Sequence, residues 1–432
     1  MEFSCETIYD ELMAREKKEI RLTLISEWLK ENYLDFGRLR HNMVTDRVQV
    51  AQNLENTIWH DIEDTEFNSM LIQCAADLQR NIAKTEFETV LFSDIVPLVH
   101  PLRNFIQSLK PYEEGEPDWI GMKAKEVTLL YPDQQDRFVT CFRKWIISMV
   151  ACWMDDTKRN DQVLVLIGPQ GIYKTTWLET LLPTSLRMYQ NKLVLNGMGK
   201  VDDDVRNMLY ENALINMDEL DAMNNSELNQ VKSLITAQEV NNRGKYQRFK
   251  KRHVRIASFC GSTNKTQFLT DLTGSRRWLP FEVTNIQSPF DSLFPLERIY
   301  AQAFHDYQRG VMYWFDKDDI AVMEKHNEEY RTQENEEELL KLWFDTPADG
   351  RGEFMTAAEI SDILVTKGGV KKPMPLQSLS VVMKRNGFES VRKRIGDRQL
   401  RGFMVYMRAK DEVERLKKPE EVVPCATSDT LY

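Results

Sequence analysis

The run Val163-Leu164-Val165-Leu166-Ile167, followed without a break by Gly168-Pro169-Gln170-Gly171-Ile172-Tyr173-Lys174-Thr175-Thr176, constrains this chain more than any other string in it. Five consecutive apolar residues with no polar alternation predict a strand buried on both faces, as in a parallel sheet covered by helices. Gly168 ends the strand, and Gly171 lets the loop turn before Lys174 and Thr175 open a helix. Such a loop can wrap its backbone N–H groups around a polyphosphate. Lys174 then supplies positive charge for the β- and γ-phosphates, and the Thr175 hydroxyl can ligate Mg2+. The usual pattern, Gly-x-x-x-x-Gly-Lys-Ser/Thr, has glycine immediately before the lysine; this chain has Tyr173 there. Taken alone, the string also reads as a Gly-rich turn with no ligand.

Two further strings narrow the reading. Ala213-Leu214-Ile215-Asn216-Met217 ends in Asp218-Glu219. An apolar strand delivering two carboxylates is what a nucleotide-hydrolysing site needs beside its loop. Asp218 would hold Mg2+, directly or through water, and Glu219 would polarise the attacking water. After the apolar stretch Ile256–Cys260 comes Gly261-Ser262-Thr263-Asn264, which puts an amide at a strand's end to orient water or meet the γ-phosphate. Gly274-Ser275-Arg276-Arg277-Trp278 then offers two arginines on a turn. A guanidinium aimed at developing phosphoryl charge contributes strongly to catalysis, from the same subunit or from a neighbour. A surface arginine pair is the alternative.

The rest of the chain organises around this core. Its 432 residues, 42% apolar and 29% charged, predict a folded protein of two to four units. Residues 1–120 read as a mixed α/β region. Ile20, Leu24, Ile25, Trp28 and Leu29 recur at helical spacing, and Met43-Val44-Thr45 and Val48-Gln49-Val50 read as short strands. Residues 121–315 form the α/β core, opened by a helical stripe of Phe138, Phe142, Trp145, Ile146, Met149 and Trp153. Residues 316–344 form an acidic helical linker. In 345–412, Thr356-Ala357-Ala358-Glu359 is a capping box, Leu376, Leu379 and Met383 mark a second helix, and two strand-like runs flank Gly396-Asp397. Helix, helix and hairpin in that order outline a winged-helix-like domain. Residues 413–432 read as a disordered tail.

Several classes are excluded by what the sequence lacks. No run of about 18 apolar residues exists, so no membrane span is expected. Met1-Glu2-Phe3-Ser4-Cys5-Glu6 does not resemble a signal peptide. Six cysteines without a Cys-x-x-Cys pair argue against a disulfide framework or zinc ribbon and for a reducing cytoplasm. The six histidines show no metal-binding spacing.

The succession Gly168–Thr176, Asp218-Glu219, Gly261–Asn264 and Leu272–Trp278 resembles the virulence-associated E family, ATPases related to superfamily 3 helicases and to the helicase parts of phage and mobile-element primases. The resemblance covers roughly residues 120–310. It implies a P-loop AAA+-like core that binds ATP and Mg2+ and acts as a ring, a hexamer, moving on DNA. It carries over Lys174 and Thr175 as nucleotide-loop residues, Asp218 and Glu219 as the acidic pair, Asn264 as sensor, and Arg276 or Arg277 as finger. No primase active site is apparent in residues 1–120.

Nucleic acid has two candidate contact regions in a chain of net charge −10. Residues 243–255 hold Arg243, Lys245, Arg248, Lys250, Lys251, Arg252 and Arg255, with Tyr246 and Phe249 interleaved as stacking surfaces. In superfamily 3 relatives this region contributes a pore hairpin, which would meet single-stranded DNA; the other reading is a basic strand edge blunted against pairing. Residues 384–410 are also basic, with Lys393, Arg394 and Arg398 offered to duplex DNA and a solvated or docking face as the alternative. The leading expectation is therefore a Mg2+-dependent ATPase, a ring-forming, helicase-like DNA motor of a mobile element or prophage. A nucleotide-switch ATPase and a DNA-binding regulator without unwinding activity are the competing classes.

Overall fold

The computed structural model describes residues 18–51, 58–195, 202–220, 223, 225–242, 251–269, 275–290, 294–330, 335–347, 352–367, 373–396 and 398–416. The chain divides into two units, one of residues 1–266 and 277–322, the other of residues 267–276 and 323–432.

The first unit opens with a helix over 18–29 that runs into the π-helical turn Lys30–Leu34. A small sheet follows, with β1 (Leu39–Asn42), β2 (Arg47–Ala51), β3 (Trp59–Asp61) and β4 (Leu98–Val99) in the order β3-β2-β1-β4. Val48 and Val50 join Trp28, Leu39, Phe67 and Phe87 in a core built with the helices Asp64–Leu78 and Lys84–Leu91. The intervening Gln49 is also buried, and it pairs with Arg40 and Asp61. Met43-Val44-Thr45 is a turn and not the expected strand, because the Asn42 side-chain oxygen accepts from the N–H groups of Val44 (2.9 Å) and Thr45 (3.3 Å). Asn42 Nδ2 also donates to the Tyr189 hydroxyl at 2.9 Å, which ties this sheet to the turn Thr184–Tyr189 that leads into the large one.

The large sheet contains β5 (Val127–Leu129), β6 (Val163–Ile167), β7 (Gln190–Lys192), β8 (Leu214–Met217), β11 (Ser258–Thr263) and β12 (Trp278–Ile286), in the order β5-β12-β6-β11-β8-β7. Between β8 and β11 in the sequence, β9 (Glu239–Asn242) and β10 (Lys251–Val254) pair with each other as an antiparallel two-stranded ribbon. The five strands from β12 to β7 are parallel, and only β5, at the edge, runs against its neighbour. Every residue of β6, β8 and β11 is buried, as the unbroken apolar runs require of strands covered on both faces. One cover is the helix Gln135–Met154, whose Phe138, Phe142, Trp145, Ile146, Met149 and Trp153 are all buried. Trp153 stacks on Tyr300 of the helix Leu296–Gln308, with centroids 5.3 Å apart.

The second unit builds its own core from Leu340, Trp343, Ile360, Leu364, Leu379, Met383, Phe403 and Val405. Its helices Ala357–Thr366 and Leu376–Arg385 precede a hairpin of β15 (Ser390–Ile395) and β16 (Arg398–Met407). Strands β13 (Phe344–Asp345) and β14 (Glu353–Met355) also pair with β16. Thr356 and Glu359 cap the first helix reciprocally: the Glu359 N–H donates to Thr356 Oγ1, and the Thr356 N–H to Glu359 Oε2 at 2.7 Å. Among the described residues, no helix is long and apolar enough to cross a membrane.

Candidate nucleotide-binding site

Because β6, β8 and β11 are parallel and in register, Ile167 beside Thr263 and Met217 beside Gly261, their carboxyl ends release three loops at one edge. Ligands of open α/β sheets gather in this crevice. Here a cleft is lined by Gln170, Gly171, Tyr173, Lys174, Thr175, Thr176, Asp218, Glu219, Ser262, Thr263 and Asn264.

Glycine is required at the first turn of the loop. A Cβ on Gly168 would stand 2.4 Å from the Val283 carbonyl oxygen, and one on Gly261 would stand 2.7 Å from that of Met217. The Ile172 side chain would crowd the same Cβ on Gly168, at 3.2 Å. Gly171 has φ +84°, and Tyr173 sits in the left-handed region at φ 65°, ψ 19°. Tyrosine thus holds the conformation that explains glycine in the usual pattern, at some backbone strain.

Lys174 is buried, and its Nζ donates to the carbonyls of Gly168 and Pro169, both at 2.7 Å, and to Asn264 Oδ1 at 3.1 Å. The Asn264 amide is therefore at the loop. Thr175 Oγ1 donates to Asp218 Oδ1 at 2.9 Å and lies 3.0 Å from Ser262 Oγ, which itself donates to Asp218 Oδ1 at 2.7 Å. Lys192, on the edge strand β7, reaches Glu179 at 2.8 Å and Asp218 Oδ2 at 3.9 Å. Burial pushes the Asp218 carboxyl up, but the Ser262 and Thr175 hydroxyls, the Lys192 charge and the Glu219 N–H outweigh it and hold the group below the usual carboxylate range. Glu219 follows at φ 53°, exposed on the rim. Neither Ser262 nor Lys192 stood out as a site residue in the sequence; both arrive through strand register.

The short helix Lys174–Glu179 is fixed from behind. Trp177 Nε1 donates to Glu126 Oε2 at 2.8 Å, and the same oxygen takes Lys123 Nζ at 2.6 Å. Lys123 and Glu126 are both buried, with the ammonium near the rings of Trp177 and Phe294.

Arg276 and Arg277 are not part of this cleft's lining. They occupy the turn Ser275–Arg277 that starts β12, and Trp278 pairs with Val163 at the amino end of β6. Arg277 thus stands at the sheet edge opposite the loop, separated by roughly 13 Å of strand at 3.3 Å per residue.

Of the basic residues in 243–255, Arg243, Lys245, Arg248 and Lys250 lie outside the described residues. Lys251 pairs with Asp46 at 2.7 Å, and Arg252 pairs with Glu239. Arg255 is fully buried, its guanidinium bonded to the carbonyls of Leu234, Ile235 and Asn160, and so does not add to an exposed basic surface. In the second unit, Lys393 and Arg394 are exposed on β15, and Arg398 opens β16 with its side chain outside the described set. Register places Arg392 directly opposite Arg401. Arg385 and Arg408 are committed internally, to Glu337 and to Asp345.

The virulence-associated protein E-like domain matches residues 118–332. The chain carries a virulence-associated protein E-like domain. That stretch contains the large sheet and every residue lining the cleft. Among solved structures, the A form apo structure of the NrS-1 C-terminal region (305–718) is similar at 12% identity and TM-score 0.45, covering 89% of this chain and 99% of that one. A second apo structure of the same region has 13% identity and TM-score 0.44, covering 85% of this chain and 96% of that one. A search of curated proteins gave no match.

Proposed function

We propose that this virulence-associated protein E-like domain is a P-loop, AAA+-like ATPase that uses Mg2+ and drives a ring-forming, helicase-like motor on the DNA of a mobile element or prophage. The observation that carries the reading is the convergence of Lys174, Thr175, Asp218 and Asn264 at the carboxyl ends of three parallel strands.

In the resting cleft the Lys174 ammonium is satisfied by two carbonyls of its own loop and by Asn264. A triphosphate entering beneath the loop offers oxygens of full negative charge, so the ammonium exchanges neutral acceptors for charged ones. Thr175 and Asp218, already 2.9 Å apart, are a hydroxyl and a carboxylate suited to a hard cation that keeps phosphate and water among its ligands. Mg2+ held there would neutralise charge on the β- and γ-phosphate oxygens. Glu219, on the rim, takes the proton of the attacking water, and Asn264 orients that water or the γ-phosphate once Lys174 releases it. Arg277, at the opposite sheet edge, supports a finger supplied by a neighbouring copy, and head-to-tail contacts of this kind close into rings.

The β9–β10 ribbon would meet single-stranded DNA, and the winged-helix-like second unit would meet duplex through Lys393, Arg394 and Arg398. The ion pairs of Lys251 and Arg252 favour a second reading, a nucleotide switch whose ribbon charges serve contacts within the protein. Turnover with and without single-stranded DNA, paired with mass measurement in ATP, separates the two. The motor shows DNA stimulation and a rise in mass; a monomer with DNA-insensitive turnover is the switch.

A further inference from the structure

Tyr173 presents a problem that the phosphate loop does not solve. Its backbone is left-handed, where glycine is free and tyrosine is strained, and the cradle needs only its N–H. The ring therefore serves something besides loop geometry. It lines the cleft, is 42% exposed, and meets Phe290 edge to face, with centroids 6.2 Å apart at 80°. Phe290, 76% exposed, follows β12 in a turn where its N–H donates to Ser288 Oγ at 3.3 Å. Tyr173 thus leaves an exposed ring on a polar cleft, and Phe290, outside the cleft's lining, supports that ring from a second segment. An aromatic ring on the wall of a polar cleft offers a ligand a flat apolar face.

We propose that Tyr173 and Phe290 form the platform for the nucleobase. The floor of the cleft, with Lys174, Thr175 and Asp218, suits the polyphosphate end of a nucleotide; the other end of that molecule is a flat π-system. An aromatic pair offers a base a stacking face without reading its hydrogen-bonding edges, so binding is tight for nucleoside triphosphates as a class and only weakly selective among bases. The inference rests on the nucleotide reading, and the test separates the two by comparing ATP with inorganic tripolyphosphate, which has the charge but no base.

Affinities of the full chain for both probes in Mg2+ are measured by calorimetry for the unmodified protein, Tyr173→Gly, Tyr173→Phe and Phe290→Ala. Glycine suits the backbone at 173, so the first variant is expected to fold, and a thermal melt checks each. Tyr173→Gly should weaken ATP by about 5- to 150-fold, the range for losing one base–aromatic stack, and Phe290→Ala by about 2- to 13-fold, the range for losing the edge-to-face partner that holds the Tyr173 ring. Tripolyphosphate should change less than two-fold, and Tyr173→Phe should keep ATP affinity. Equal losses for both probes, or ATP affinity intact in both variants, overturn the platform. Intact affinity with lost self-association in ATP also overturns it and assigns the rings to a subunit contact. An unmodified protein that binds neither probe refutes the nucleotide reading itself.

Discussion

Thr175 Oγ1 and Asp218 Oδ1 lie 2.9 Å apart although the two residues stand 43 positions apart in the chain. The contact joins the first turn of the helix after β6 to the end of β8, strands that are not neighbours in the sheet. β11 lies between them, and its Ser262 completes the triangle with a second hydroxyl on the same carboxylate oxygen. Three strands thus fix one acidic group before any ligand arrives, so this carboxylate has little left to reorganise.

Ser262→Ala removes a donor that holds the Asp218 carboxyl low. The carboxyl should then titrate higher, and Mn2+ binding in the presence of nucleotide should weaken by about 10- to 100-fold, as for other outer partners of a metal ligand. The sign follows from linkage: a depressed carboxylate contributes stability above its unfolded value that is lost as pH falls through the folded one. The acid limb of Mn2+ binding, read by electron paramagnetic resonance, should move to higher pH in the variant; an unmoved limb removes Ser262 from the site.

Glu126→Ala leaves the buried Lys123 ammonium without its carboxylate and the Trp177 indole without its acceptor. Breaking a buried pair from one side costs about 3–5 kcal/mol. The denaturant midpoint should fall accordingly, with the slope unchanged. A midpoint within error of the parent would show that the pair does not anchor the helix of Lys174.

Arg276→Ala/Arg277→Ala leaves a subunit with an intact loop, and Lys174→Ala leaves one with intact arginines. Each alone should lose on the order of 10³–10⁵ in turnover for a missing finger, with at least a comparable loss for a missing loop lysine. Mixed under subunit exchange, they should regain part of the rate, because some interfaces pair a good loop with a good finger. Failure to regain any, with exchange confirmed independently, would contradict the ring with a finger supplied by a neighbour.

Arg392 and Arg401 face each other across β15 and β16, a like-charge pair that destabilises a bare hairpin. A polyanion removes that repulsion. Duplex affinity of the full chain should fall with salt, each neutralised phosphate contributing about −0.9 to the logarithmic slope, and Arg394→Gln, on the same face of the hairpin, should lower the slope by about one. A slope unchanged by the substitution places the duplex elsewhere.

The strand runs were legible because a parallel strand covered on both faces has no polar alternation to obscure it, and Lys174, Asp218 and Asn264 each follow such a run. Ser262 and Lys192 were not. Their nearness to Asp218 comes from register and from the edge position of β7, which no local pattern encodes. Met43–Thr45 misled because its apolar residues outweighed the turn chemistry of the Asn42 before them. Arg255 counted as surface charge for want of any sign in the sequence that three backbone carbonyls would enclose it. The cysteine spacing excluded a Cys-x-x-Cys site but could not reveal that Cys74, Cys141, Cys152 and Cys260 are buried thiols.

Steady-state ATP hydrolysis by the full chain in Mg2+, measured beside Lys174→Ala at equal folded concentration, tests the central claim most directly. The account predicts turnover that depends on Mg2+ and falls to background in the variant, with the thermal midpoint retained. Equal turnover in the two proteins, or none in an unmodified protein that binds Mg2+-ATP and assembles, would contradict it.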